Sequence, residues 1–427
     1  MDAPLRTRRL NRERSDRPWQ AQRGGKQIVI PMTREEYDER WNDPRKMREY
    51  VDGTLAEHPE LFPPGMRDGY ALHGFGRASR KLAGVRLRKV RLTAGTAYHL
   101  RPSFVVSYMT GTAEELEYPL LLASFGVPAW VLTFGFGHSD MYWYRLVERL
   151  GRNSLVGTTV RDPAKMPEHL AADEHHVDWG GTKGFVATTA AEGCLLGIGL
   201  TKAADDQHLT AAYGDFAAEA RNVSPDYAPR TVNTDGWAAT QNAFQALFST
   251  ISVVLCFLHG FLKIRDRCRK NHDLHRRVWD VYRAASAEEF RRLMAVLQAW
   301  CATQTWTASV REMLIKLGNK TGEYAVAYAH PGCLRTSNTV DRPMNRLRRL
   351  LYAGRGLHGH QANSQWRLRG WALLLNFRPF ARRSGHVRLY TSPAHQLNRI
   401  CYHNHWFHNL QVSASLMGCR GTAPAIR

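Results

Sequence analysis

The chain is 427 residues long, 44% hydrophobic and 23% charged, and its 59 Lys and Arg outweigh 38 Asp and Glu to leave a formal net charge of +21. That hydrophobic share can fill a packed core and excludes global disorder, while seven cysteines over this length exclude a small disulfide-stapled scaffold and point to a reducing interior. The length predicts two or three domains, and the basic excess favours a polyanionic partner, nucleic acid first and an anionic membrane surface second.

Residues 1–28 read as a disordered basic arm. This arm has no apolar segment that could serve as a secretory signal, and Asp2, Glu13 and Asp16 set it apart from a transit peptide. Residues 33–62 predict helix, with Thr33 ahead of Glu35 and Glu36 as its N-cap. Alternation of apolar and polar positions between 83 and 107 predicts short strands. Three helical pieces are expected over 113–150, broken at Gly126 and again between Gly135 and Ser139. The charge-free run Tyr118–Gly137 has the length of a membrane span. Pro119, Gly126, Pro128, Gly135 and Gly137 punctuate it, so a broken pair of short helices is expected and no membrane partner. Such helices fit a helix-turn-helix unit reading DNA with Tyr142, Trp143 and Arg145, although an ordinary packed helical subdomain explains the same pattern. Residues 29–164 are thus expected to form a mainly helical DNA-binding region.

The texture changes near residue 165. HLAADE predicts a short strand ending in acids. GFVATTAA and CLLGIGLT predict a hairpin around Glu192-Gly193. An amphipathic helix with an Asp-rich start follows, then the strand PRTVNTD, the helix AATQNAFQALF and the buried strand ISVVLCFL. Beyond Gly260 the chain turns basic and helical. A last helix is expected from Asn338 to about Tyr352, and the remaining tail is rich in Arg, His and Trp. The predicted fold is α/β: a core over 165–259 and 334–385, an all-α insertion over 260–333 and a C-terminal tail over 386–427.

Three acids occupy special points of this order. Asp173 ends the first strand, Asp235 ends the strand after the first helix, and Asp341 lies near the start of the last helix; they stand 62 and 106 residues apart. Taken singly, each is more often a solvated strand end or a helix cap. Glu174 reads as a solvated neighbour on the opposite strand face rather than a supporting acid. Trp237 reads as an anchor for the following helix rather than a stacking platform for a base. Cys256, His259, Cys268 and His272 superficially suggest zinc, but Cys256 reads better as a small buried hydrophobe and His259 as a hydrogen-bonding brace. Lys263, Arg265 and Arg269, and further on Arg346 and Arg349, belong to basic runs suited to phosphate contact.

The order of elements, with acids at those points, resembles the RNase H-like nucleotidyltransferase core: a mixed sheet with helices on both faces. More narrowly, the chain resembles bacterial insertion-sequence transposases of the Mutator-like group of DDE enzymes. The resemblance is carried by Ala172-Asp173-Glu174 ahead of Gly181-x-Lys-Gly-Phe-Val186, by Asn233-Thr-Asp-Gly-Trp237, by Cys256-x2-His259, by Thr336 to Arg342 and by Trp371 to Phe380, and it covers about residues 165–405. It implies metal-dependent cleavage at terminal inverted repeats and strand transfer of the 3′-hydroxyl into target DNA. Asp173, Asp235 and Asp341 would be the catalytic metal ligands, holding two Mg²⁺ ions for which Mn²⁺ substitutes. A dimer or higher oligomer on DNA, in the bacterial cytoplasm and at the nucleoid, is implied as well. The family's usual third acid is Glu; Asp341 is one methylene shorter. The alternatives are an RNase H-like nuclease and a non-catalytic DNA-binding protein derived from a transposase.

Overall fold

The computed structural model describes residues 25–82, 84–107, 110–381 and 389–419. The arm expected over 1–28 lies outside these residues as far as position 24.

The first unit is mixed. Strand β1 (Gln27–Ile30) is followed by α1 (Arg34–Arg40) and α2 (Pro44–Glu57), then by β2 (Tyr70–Phe75), β3 (Arg88–Leu92) and β4 (Ala97–Pro102). Thr33 caps α1 as expected: its hydroxyl accepts from the Glu36 N–H, and the Glu36 carboxylate accepts from the Thr33 N–H. The four strands form a sheet in the order β1-β4-β3-β2, with β1 parallel to β4. Its core contains Ile28, Ile30, Trp41, Met47, Val51 and Leu100. One expectation is corrected: Gln27 and Ile28 lie in a strand rather than in a disordered arm, while the region from residue 29 to 164 is mainly helical as expected, with a four-stranded sheet near its start.

Helices α3 (Ala113–Ser124), α4 (Ala129–Phe136), α5 (Asp140–Leu150) and α6 (Leu155–Thr159) follow. Gly126 makes the break between α3 and α4 at φ +88°, a conformation that side chains with a Cβ rarely adopt.

The second sheet contains β5 (His169–Trp179), β6 (Thr182–Ala191) and β7 (Cys194–Thr201), then β8 (Thr231–Thr234) after α7 (Asp206–Val223), and β9 (Ser252–Leu255) after α8 (Ala238–Leu247). The strand order is β7-β6-β5-β8-β9. The first three strands run antiparallel, while β5, β8 and β9 run parallel. Residues 184–201 of β6 and β7 are buried almost throughout, apart from the turn at Glu192-Gly193, because helices cover both faces of the sheet. β5 is eleven residues long, so Asp173 lies mid-strand and not at a strand end.

An all-α unit then packs around its own core of Phe257, Phe261, Leu274, Phe290, Met294 and Leu314. It consists of α9 (Phe257–Arg267), α10 (His272–Tyr282), α11 (Ala287–Ala302), α12 (Ala308–Asn319) and α13 (Thr321–Ala325). Asn271 and Ser286 cap fresh starts inside the basic stretch, dividing it into separate helices. Helices α14 (Asn338–Ala353) and α15 (Gln361–Phe377) return to the second sheet, on the face opposite α7 and α8.

Helix α15 also completes the hydrogen bonding of the outer strand β7. The Asn376 amide accepts from the Leu195 N–H and donates to the Leu195 carbonyl, both at 2.8 Å. Gln365 does the same at Leu200 N–H (2.6 Å) and Ile198 carbonyl (2.7 Å). On another side the helix approaches α5 closely at Gly370, whose hypothetical Cβ would fall 2.0 Å from the Val147 carbonyl oxygen.

The C-terminal segment, α16 (Pro393–Asn398) and α17 (Trp406–Ser413), is no loose tail. Tyr402, Val412 and Leu416 join the core of the first unit, and Arg101 donates to the Gln411 side chain at 2.8 Å. Among the described residues no helix is long and apolar enough to cross a membrane.

Candidate active site

Asp173 stands where β8 stops pairing with β5: the parallel register runs from His169 to Ala171. Alternation along β5 sends Asp173 and Glu174 to opposite sheet faces. Across the antiparallel pair Asp173 meets Thr188, whose hydroxyl lies 3.8 Å from the Met344 sulfur of α14. Asp173 therefore faces the α14 side.

Asp235 is the first residue after β8, and its carboxylate accepts from the Trp237 N–H at 2.9 Å. That bond fixes the turn into α8, aided by Gly236 at φ +98°. Trp237 occupies the N-cap position of α8, is 39% exposed and meets Phe185 edge to face.

Asp341 lies in the first turn of α14, where its carboxylate accepts from the Ser337 hydroxyl at 2.8 Å. Ser337 in turn joins the end of β9 to α14. Its N–H donates to the Cys256 sulfur at 3.2 Å, and its hydroxyl oxygen accepts from the Cys256 thiol at 3.3 Å. His259, one turn into α9, brings Nδ1 to within 3.5 Å of the same hydroxyl.

The electrostatics tie these groups together. Burial pushes Asp173 up to about 7, and the negative charges of Glu174 and Asp235 push in the same direction. Hydrogen bonding to the Cys256 sulfur raises His259 to about 9 against the opposing effect of burial, and the charges of Asp341 and Asp173 add to the rise. His259 is thus a cation at neutral pH, set between Asp341 and Asp173. Burial opposes ionisation of the Cys256 thiol, but hydrogen bonds from His259 and Ser337 outweigh it and lower its pKa.

Glu174 is not the solvated neighbour expected from the sequence. It is largely buried on the α7–α8 face, where it accepts from the Tyr213 hydroxyl and, at 2.6 Å, from the Thr240 hydroxyl. Burial raises its pKa despite both bonds.

The donor chemistry of Asp173 and Asp235 fits a hard cation: two carboxylates crowd each other, and among the described residues neither forms an ion pair. Among the described residues no set of three or more His, Cys, Asp and Glu side chains is poised to hold an ion. Mg²⁺ is commonly bound through one or two carboxylates, with waters and substrate phosphates filling the rest of its shell.

The basic candidates divide by exposure. Arg145, Lys263, Arg265, Arg269, Arg346 and Arg349 are exposed. Trp143 is not available to DNA: it is 3% exposed, and its indole N–H donates to the Gly137 carbonyl. Tyr142 is half-buried and its hydroxyl donates to the Thr110 carbonyl. Their sequence neighbourhood suggested a reading helix, but α5 turns this side into the packing against α4 and α15. Ser337, Tyr213 and Thr240 were not singled out from the sequence. A tyrosine on the apolar face of an amphipathic helix was the one available signal, since a buried hydroxyl needs a partner. No family model matches this chain, and no curated protein matches it.

Proposed function

We propose that this chain is a DDE-type DNA transposase with an RNase H-like core, cutting DNA at its element's terminal inverted repeats and joining the freed 3′-hydroxyl to target DNA. One observation supports the reading: on a sheet ordered β7-β6-β5-β8-β9, the carboxylates of Asp173 in mid-β5 and Asp235 after β8 act on each other, and His259 is coupled to both Asp173 and Asp341 of α14. Phosphodiester transfer needs acids brought together from separate elements, and parallel strand ends beside a packed helix supply them.

Asp173 and Asp235, with Asp341, would hold divalent cations, Mg²⁺ or Mn²⁺. A cation bound there supplies Lewis-acid stabilisation of phosphodiester oxygens. The chain's own residues position the rest. Ser337 holds the Asp341 carboxylate, and the His259 cation offsets part of the negative charge between Asp341 and Asp173. Tyr213 and Thr240 fix Glu174 and with it the strand segment bearing Asp173. Arg342, Arg346 and Arg349 recur at helical spacing on α14, the helix of Asp341, and are exposed for phosphate contact. Lys263, Arg265 and Arg269 extend that charge on and beyond α9.

The engagement of Asp341 with Ser337 favours a second reading, a DNA-binding protein that has lost catalysis. One experiment separates the two. The DNA flanking its gene is searched for inverted repeats, and the full chain is incubated with duplexes carrying any such repeats, with and without Mg²⁺, beside Asp235→Asn. Nicking and joining that need Mg²⁺ and vanish in the variant, while DNA binding persists, support the transposase. Repeat binding without cleavage, with or without Mg²⁺, supports the second reading, and no binding to DNA overturns both.

A further inference from the structure

We propose that the outward face of α3 and α4, with the arginine stripe of α14 beside it, binds single-stranded DNA: unpaired bases stack on its aromatic rings while the arginines hold the phosphates. The proposal deepens the transposase reading and rests on it for DNA as the strand. Large rings stand in the open here: Phe134 is 90% exposed, Trp130 64%, Tyr118 64% and Phe125 60%. Tyr118, Leu122 and Phe125 recur at helical spacing to the end of α3, and Trp130 and Phe134 are one turn apart on α4, so each helix presents a stripe.

Phe125 forms a platform. The Arg378 guanidinium lies against its ring, 4.1 Å from the centroid, and donates to the Ser124 hydroxyl at 3.2 Å. Arg378 is only 5% exposed, so it underlies the ring and leaves the outer ring face open. A base laid on that face completes a stack, since every base has a π-face and the guanidinium beneath holds the ring in place.

Positive charge borders the platform on the α14 side. Gly126, which separates α3 from α4, approaches α14 so closely that a Cβ there would lie 3.3 Å from the Leu350 backbone and 3.5 Å from the Arg349 carbonyl carbon. Burial pushes Arg346 below the usual arginine range and Arg378 down to about 10; the charges of Arg342 and Arg349 add to the fall at Arg346, and that of Arg346 adds to it at Arg378. Among the described residues none of these four arginines forms an ion pair. Like charges three and four residues apart repel along a helix, and a polyanion supplies the counter-charge that the fold omits. The acids of α3 stand in its first turns and are already engaged: Glu114 and Glu117 meet His408 and His405, and Glu115 accepts from the Thr112 N–H.

Rings and arginines together select a single strand. A duplex presents only base edges in its grooves and would leave the rings in water. Helix α4 carries no charged residue, unlike the basic amphipathic helices that lie in a lipid surface. Asp341 begins the same α14: at 1.5 Å per residue, Arg349 lies about 12 Å along the axis from it, so a strand whose end sits at the acids reaches the rings within a few nucleotides.

The experiment is fluorescence anisotropy on the full chain, free of metal, with labelled probes of equal length: a mixed-sequence single-stranded oligodeoxynucleotide, the same backbone made abasic throughout, and the duplex. Wild type should bind the single strand at least roughly tenfold more tightly than the abasic strand, which keeps the phosphates and lacks the bases. Phe125→Ser, Trp130→Ser and Phe134→Ser should each lose roughly tenfold for the single strand and nothing for the abasic strand or the duplex, while Trp130→Phe retains wild-type binding. Circular dichroism should be unchanged, because these side chains are exposed. Equal affinity for the single and abasic strands overturns the proposal, and so do aromatic variants that bind the single strand as wild type does. Tighter binding to an RNA strand of the same sequence overturns the assignment to DNA, and capture of anionic phospholipid vesicles through Trp130 with no preference for bases overturns the whole. Cleavage is not scored. A chain that prefers bases yet never cuts DNA sinks only the transposase reading, and one that cuts DNA without that preference sinks only this proposal.

Discussion

Glu219 and Arg369 meet in an ion pair that water does not reach: their side chains are 1% and 2% exposed. The pair joins α7 to α15. Arg369 also donates to the carbonyls of Gly151 and Asn153, each at 3.0 Å, and Glu219 accepts from the Ser154 hydroxyl and the Val156 N–H, each at 2.9 Å. The segment between α5 and α6 is thereby fastened to helices that pack on opposite faces of the second sheet.

Removing one partner strands the other charge in the core. Glu219→Gln and Arg369→Met should each destabilise the chain by about 3–5 kcal/mol. The double variant Glu219→Gln/Arg369→Met should lose less than the sum of the two single losses. Urea denaturation followed by circular dichroism checks both, and strict additivity would mean the two side chains do not depend on each other.

The crossing of α5 and α15 leaves no room for a methyl group at Gly370, because the clash is with backbone at Val147. Gly370→Ala should therefore cost about 3 kcal/mol, the upper end for overpacking, although alanine is the better helix former. Gly53→Ala, in α2 with open space around its Cβ position, should instead stabilise. Opposite signs in thermal denaturation are the expected result.

Asp215, also on α7, gives the pH prediction. Burial pushes its carboxyl up to about 7, opposed by Arg369 and reinforced by Glu219. The folded chain then holds a proton that the unfolded chain has already released above its usual value of 3.8. Stability from this group falls as pH rises from about 4 to about 7. Asp215→Asn should remove that slope, so its advantage over wild type should grow from pH 5 to pH 8. Parallel stability–pH curves for the two proteins would sink the assignment.

At the proposed active site, Asp341 is the informative position. Asp341→Glu keeps the charge but displaces its oxygens from Ser337 and from any cation. A shift of about 1 Å can cost on the order of 100-fold in a positioned reaction. Mg²⁺ demands near-ideal octahedral geometry, so Mn²⁺ should stimulate Asp341→Glu more than it stimulates wild type. Asp341→Asn should stay inactive in either metal. Identical metal responses in cleavage assays of all three proteins would place Asp341 away from the cation.

Much of the second sheet was legible because its signals are local. Glu192-Gly193 marks the β6–β7 turn, and Asp205 caps α7 through the His208 N–H. The first sheet was only half legible. β1 is four residues long, too short to show alternation, and β2 has an irregular register between Leu72 and Phe75 around Gly74 at φ +66°. The acids themselves stood out, but their partners did not. Ser337 reaches Cys256 across 81 positions, and Glu174 finds Tyr213 only because α7 folds over β5. Ending the first strand at its acids also hid that β5 runs on to Trp179, where the turn at Gly180-Gly181 begins β6.

The amides of α15 along β7 bear on what happens when this chain is cut or only partly made. Until residues 361–377 arrive, the N–H and carbonyl groups at Leu195, Ile198 and Leu200 form an open template flanked by apolar side chains. A nascent chain, or one clipped ahead of α15, can recruit a strand from another such chain and build insoluble cross-chain sheet. Solubility should therefore return abruptly as a truncation series lengthens through Gln365 and Asn376, rather than rise in proportion to the apolar surface covered.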